Sequence, residues 1–200
     1  MSTLEVGKIV PATGTAVTLG DSGDTFTIPA SATLTIAGTI NASSGTATGF
    51  GLFESYALIV DSKADGVDGG TFTLGAWRTR DLQTEVYDGI GITISSNEFT
   101  LPTGNYFIQW SAPALIVGFH QTRLYDITGT AAIQDGSSEE SPYGLGSNRS
   151  TGFARVTPSG SNVYTIEHRS SVTNADYGFG NANSFGNLEV YTIVAIFKES

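Results

Sequence analysis

The chain is predicted to be all-β: a jelly-roll β-sandwich head preceded by a slender N-terminal β stalk. Two observations lead there. The segment Leu188-Glu-Val-Tyr-Thr-Ile-Val-Ala-Ile-Phe-Lys198 is largely apolar on both faces of an extended strand, with Val190, Thr192, Val194 and Ile196 on one side and Tyr191, Ile193, Ala195 and Phe197 on the other. Such a strand is expected in the middle of a packed β-structure, so the end of the sequence is tied into the core. Composition agrees: 25 of 200 residues are Gly, charged residues make up 14%, and Thr, Ser, Val and Ile fill the intervals. Many short strands joined by tight turns need that mixture, and no segment shows an obvious helical period.

Taken in order, residues 7 to 49 are nearly all small or β-branched, as in Ala32-Thr-Leu-Thr-Ile-Ala-Gly-Thr-Ile40. Alternation turns Phe26, Ile28, Leu34 and Ile36 inward, but a thin ribbon cannot bury them alone. Copies of the same chain are the economical partners, so residues 1–50 are read as a trimeric stalk, and residues 51–200 as the head. The other reading lays residues 1–50 as extra strands on the head.

From Phe50 onward the segments lengthen and gain aromatics. Strands are expected near 55–59, 70–74, 77–80, 90–95, 98–101, 104–112, 118–126, 151–157, 162–170 and 188–197, with turns at Asp65-Gly66, Asp88-Gly89, Pro102-Thr-Gly104 and Pro158-Ser-Gly160. Two long polar connections, 131–150 and 173–187, are expected to be surface loops able to carry recognition.

Composition also excludes functions. Without Cys there are no disulfides, no thiol catalysis and no zinc-thiolate sites. A formal charge of −10 with nine scattered Lys and Arg argues against nucleic-acid phosphates and anionic membrane as partners. No window approaches the ~20 apolar residues of a spanning helix, and Met1-Ser-Thr-Leu-Glu5 lacks the start of a signal peptide, so a soluble chain not exported by such a signal is expected.

Several stretches carry a resemblance: Gly70-Thr-Phe-Thr-Leu-Gly-Ala-Trp-Arg-Thr-Arg-Asp-Leu-Gln-Thr84, Phe99-Thr-Leu-Pro-Thr-Gly-Asn-Tyr106, Ser111-Ala-Pro-Ala114, His120-Gln-Thr-Arg-Leu-Tyr125, Ile166-Glu-His-Arg169 and the closing Val190 to Lys198. In their order they resemble a domain found at the C-terminus of bacteriophage particle proteins, many of them tail fibres. That domain is similar to the trimeric jelly roll of the tumour-necrosis-factor and complement globular-head superfamily. The resemblance implies a homotrimeric, non-enzymatic structural protein of the virion, without cofactor or metal. It leaves two roles open: a tail-fibre-like protein that attaches to host-surface glycan or protein, and a head fibre or capsid decoration protein on the shell. Its N-terminal segment would contact another virion protein, a tail adaptor or the major capsid protein.

Individual residues sharpen these expectations. Arg78 and Arg80 share one strand face and are candidates for bidentate pairing across a trimer interface, alongside Phe26, Ile28, Leu34 and Ile36; a solvated strand face is the plainer account of the two Arg. Tyr143, Tyr177 and Phe179 lie among small polar loop residues and are the candidates for receptor contact, against the alternative that they plug one end of the sandwich. His120 and His168, the only histidines, sit mid-strand and are read as hydrogen-bonded structural residues. A carbohydrate-active enzyme is the remote alternative. Its best candidates, Glu139-Glu140, are adjacent, whereas glycoside hydrolysis needs two carboxyls held ~5–9.5 Å apart. Asp61, Asp65 and Asp68 depart from the spacing of a calcium loop and are assigned to turns, with a partial calcium site as the alternative.

Overall fold

The computed structural model describes residues 52–144 and 146–199, together with Thr25, Thr27, Ile28, 30–33, Thr35 and Ala37. The chain divides into two units, Met1–Ala47 and Thr48–Ser200. The stalk expected over 1–50, with Phe26, Leu34 and Ile36, lies outside the described residues, and Ile28 is exposed.

Among the described residues the second unit holds eleven strands and no helix: β1 (Phe53–Lys63), β2 (Arg78–Thr79), β3 (Thr84–Asp88), β4 (Thr93–Ser95), β5 (Glu98–Leu101), β6 (Tyr106–Leu115), β7 (Gly118–Asp126), β8 (Ala131–Ser141), β9 (Ser147–Val156), β10 (Asn162–Ser170) and β11 (Glu189–Glu199). They form two antiparallel sheets, one ordered β3-β1-β11-β6-β9 and the other β4-β5-β10-β7-β8, with β2 against β10. The last strand lies between the first and the sixth, which is the jelly-roll sandwich expected from the sequence.

The core fills the space between the sheets. Ile59, Ile108, Trp110, Val194 and Ile196 project from the first sheet onto Phe99, Leu101, Leu124, Tyr164 and Ile166 of the second. Trp110 is 1% exposed, and a buried indole needs an acceptor for its N–H. It donates to Thr122 Oγ1 at 2.8 Å, and that hydroxyl lies 2.7 Å from Ser150 Oγ, so one polar chain crosses the sandwich. The indole fits because its cross-strand partner is Gly152: a Cβ there would lie 2.1 Å from the Trp110 ring. A smaller core of Phe72, Ala114, Val117 and Phe179 closes one end beneath the connection from β10 to β11.

Turn chemistry sets the registers. Asp88 accepts the backbone N–H groups of Ile90 and Gly91 on Oδ1 and of Ile92 on Oδ2, at 2.8–3.0 Å, closing the turn predicted at Asp88-Gly89. Ser96 and Asn97 both have positive φ, 56° and 66°, which is the two-residue hairpin turn whose twist matches right-handed strands.

The strands predicted at 98–101, 118–126 and 162–170 are found at those bounds. Residues 70–74 form no strand: Phe72 bridges to Asn174 of the β10–β11 connection, and its ring packs against His168 of β10 and Ala114 of β6. Two further strands carry no sequence signal. β3 is one, and β8 with the start of β9 replaces most of the loop expected over 131–150. The sequence of β8, Ala-Ala-Ile-Gln-Asp-Gly-Ser-Ser-Glu-Glu-Ser, has no apolar alternation because nearly all of it faces solvent. Backbone pairing to β7, and not side-chain burial, makes it a strand.

The substitution Gly152→Ala is expected to destabilise the sandwich by about 1–3 kcal/mol, the usual cost of overpacking a filled core. The urea midpoint of the variant against wild type measures it.

Candidate functional site

The solvent side of the first sheet carries the feature that stands out. Facing residues of β1, β11 and β6 put Tyr56, Phe197 and Phe107 side by side, because Tyr56 pairs with Phe197 and Phe197 with Phe107 in the ladder. Tyr87 of β3 and Phe153 of β9 extend the row at either end. Ring centroids are 4.5 Å apart for Tyr87–Tyr56, 6.4 Å for Tyr56–Phe197, 6.5 Å for Phe197–Phe107 and 6.2 Å for Phe107–Phe153. All five strands thus contribute one ring, and Phe53 adds a sixth at 5.0 Å from Phe197. Phe153 is 68% exposed, and Val190 and Ile193 widen the apolar area. Ion pairs border the row: Arg155 reaches both carboxylate oxygens of Glu199 at 2.7–3.0 Å, and Lys198 lies 2.7 Å from Glu54. An apolar centre with a charged margin is the anatomy of an interface.

This arrangement corrects the reading of the C-terminal strand. β11 is central in its sheet, but among the described residues only one of its faces is covered. Parity also changes along it, because between Val60↔Ile193 and Ser62↔Val190 two residues of β11, Tyr191 and Thr192, are set against one of β1, Asp61. One extra residue flips the alternation, so Tyr191 and Thr192 are both buried while Val190 is exposed.

The candidates named from the sequence are distributed differently. Arg80 is fully buried and is therefore no interface residue. Its Nε donates to Thr192 Oγ1 and its Nη2 to the Phe179 carbonyl, both at 2.9 Å, and its guanidinium lies 3.9 Å from the Phe179 ring centroid. The chain turns inward after Thr79, which separates Arg80 from the exposed Arg78. Phe179 is also withdrawn from receptor contact: it is 8% exposed and packs 4.5 Å from Phe72, closing the small core. Tyr143, 88% exposed, stands in the turn between β8 and β9, and Tyr177 is half-buried in the β10–β11 connection. That connection is pinned to the body. Asp68 accepts the N–H of Ala182, Asp65 that of Gly186, and Glu189 those of Gly66, Asn183 and Ser184. Asp65 and Asp68 thus serve loop anchoring, and those backbone donors hold the Glu189 carboxyl below its usual range.

The two histidines, 48 residues apart, meet inside the sandwich. His120 Nδ1 lies 2.9 Å from His168 Nε2, and His120 Nε2 lies 2.6 Å from Asn148 Oδ1. Asn148 donates its amide N–H to the Glu140 carbonyl, which turns Oδ1 toward His120. His120 therefore carries its proton on Nε2 and accepts at Nδ1 from His168 Nε2–H. His168 Nδ1 is then a bare acceptor, with no partner among the described residues. Burial holds His120 below the ordinary histidine range, and burial followed by the Arg80 and His120 charges holds His168 well below it. Burial also pushes the Arg80 guanidinium down, opposed by Asp61 and Asp81.

No family model matches the chain, and no curated protein matches it. Among solved structures, the globular domain of zebrafish complement 1qA protein is similar at 13% identity and TM-score 0.48, over 71% of this chain and 94% of that one. Murine APRIL at pH 8.0 is similar at 11% identity and TM-score 0.43, and murine APRIL at pH 5.0 at 10% and 0.44, each over 72% of this chain and 99% of the other.

The histidine pair gives a signed pH dependence. Both folded pKa values lie below the unfolded value, so at neutral pH neither state is protonated and the pair has no effect. As pH falls through the unfolded value of ~6.5, the unfolded chain takes up protons that the folded chain refuses, and stability drops by up to about 1.4 kcal/mol per pH unit for each histidine. Urea midpoints between about pH 7 and about pH 5.5 are expected to fall accordingly, and a flat profile over that span would contradict the buried neutral pair.

Proposed function

We propose that this chain is a structural, non-catalytic head that assembles as a homotrimer on a bacteriophage particle and mediates attachment to the host surface. The observation that carries the reading is the row of aromatic rings across the first sheet. Four exposed rings, Phe53, Tyr56, Tyr87 and Phe153, with the half-buried Phe107 and Phe197 between them, are a costly surface for a monomer beside a complete core, and a second and third copy of the same face would cover them. The order of motifs in the sequence supports a threefold arrangement and a virion setting. An enzymatic reading has less behind it. Both nitrogens of His120 are committed within the chain, and Glu139 and Glu140 are successive residues of β8, which alternate faces and do not flank one bond.

Light scattering at micromolar concentration is expected to give a trimer. The variant Phe153→Glu is expected to stay folded by circular dichroism, since that side chain is 68% exposed, while its assembly weakens at least about a hundredfold because unpaired charge enters the interface. A monomeric wild type, or an unaffected variant, would contradict the assembly face.

Attachment and capsid decoration part at the cell surface. Under attachment, particles lacking the protein lose adsorption to host cells, and Tyr143→Ala and Tyr177→Ala lower it while leaving trimer melting nearly unchanged. Normal adsorption by particles without the protein would leave decoration as the better account.

A further inference from the structure

On the opposite sheet from the aromatic row, a groove of about 760 Å³ opens over the start of β7 and the end of β10. Trp77, just before β2, and Phe119, at the start of β7, line it, and Phe119 is 67% exposed. Between and beside them are Gln121, Glu140 and Arg169. Register explains the grouping: Gln121 pairs with Arg169 on one side and with Ser138 on the other, and Phe119 pairs with Glu140.

Trp77 is held in place from behind. The Arg123 guanidinium lies 4.2 Å from its ring centroid, and Arg123 is itself fixed by Glu167 at 2.6 Å. Gln121 donates its Nε2–H to the Gly136 carbonyl at 2.9 Å, which leaves Oε1 as its acceptor. Gly136 sits where the β7–β8 pairing slips, between Gln121↔Ser138 and Arg123↔Asp135, and such bulges re-aim neighbouring side chains. Arg169 belongs to none of the ion pairs among the described residues. The groove thus combines flat apolar rings with a carboxylate, an amide and a guanidinium that the fold does not use up.

We propose that this groove binds a short neutral glycan, with apolar sugar faces on both Trp77 and Phe119 and its hydroxyls on Gln121, Glu140 and Arg169. Flat rings suit the C–H face of a pyranose, and planar side chains that both donate and accept suit vicinal hydroxyls. A formal charge of −10 disfavours acidic sugars. A polypeptide adding as a strand is disfavoured too, because the β7 and β10 strands under the groove already have their edges paired: β7 to β8 and β10, and β10 to β2 at Glu167 and His168. The inference rests on the attachment reading for the biological source of the glycan, though binding itself does not.

The test presents the full-length chain with immobilised neutral oligosaccharides built from glucose, galactose, mannose and N-acetylhexosamines, with sialylated counterparts beside them. Retention on at least one neutral sugar is expected, with affinity lowered about tenfold or more by Trp77→Ala and by Phe119→Ala, and unchanged by Thr157→Ala, an exposed position away from the groove. Phe119→Ala keeps the test decisive should loss of Trp77 disturb folding, since Phe119 is largely exposed. Intrinsic fluorescence gives a second readout: of the two tryptophans Trp110 is buried, so a bound sugar shifts the emission of Trp77 alone. Retention on no neutral sugar, preference for the sialylated forms, indifference to both substitutions, or Trp77-dependent retention only of deglycosylated host protein would each overturn the proposal. Sugar binding by the head together with normal adsorption of particles lacking it would leave the groove standing and remove attachment. Adsorption that needs the head but no sugar would do the reverse.

Discussion

A strand that is hydrogen-bonded on both edges and apolar on both faces must be covered above and below as well as at its sides. β11 is in that position: β1 and β6 occupy its edges, and Val194 and Ile196 enter the core. The remaining face, with Ile193 and Phe197, has no layer over it among the described residues. The other strands of the sheet follow suit, each placing a ring in the same outward row. A sheet built this way is complete as a hydrogen-bonded object and incomplete as a hydrophobic one. That imbalance is why the proposed role is assembly and not chemistry.

The interior is unusual in another respect. Arg80, Asp61, His120 and His168 are all nearly inaccessible, although charged and titratable groups avoid such places unless paired. Arg80 resolves part of the cost through Thr192, the Phe179 carbonyl and the face of the Phe179 ring. Asp61 has Lys63 at 3.2 Å, and burial nonetheless raises its carboxyl pKa. Because Arg80 donates to the backbone of the β10–β11 connection, that connection is held by the core as well as by its own turn residues. A segment that reads as a long adaptable loop is therefore a built wall of the sandwich end.

What the sequence showed and what it hid follow from the same rule. Strands with one buried face, such as Gly118–Asp126 and Asn162–Ser170, announce themselves by alternation, and turns by their Asp-Gly and Pro-x-Gly signatures. β8 could not be seen, since a strand whose side chains nearly all face water has no pattern to read. Alternation misplaces Arg80 by putting it on the same face as Arg78, while β2 ends at Thr79 and the chain bends into the core. Phe179 carried no signal separating a plug from a contact residue. The pairing of His120 with His168 depends on β7 lying beside β10, a long-range register that local pattern does not contain. The aromatic row was present as residues in five separate segments, and only the strand order brings them together.

β8 is an edge strand of the second sheet, with Asp135, Glu139 and Glu140 along it. Free edges are where copies of a β-protein zip onto one another, and like charges along the edge oppose that. Wherever many copies of this chain stand side by side at a high local concentration, each presents a negatively charged border to its neighbours. In the proposed assembly, contacts between sandwiches would be steered to the broad apolar face, and the two surfaces would separate ordered assembly from lateral aggregation by their opposite chemistry.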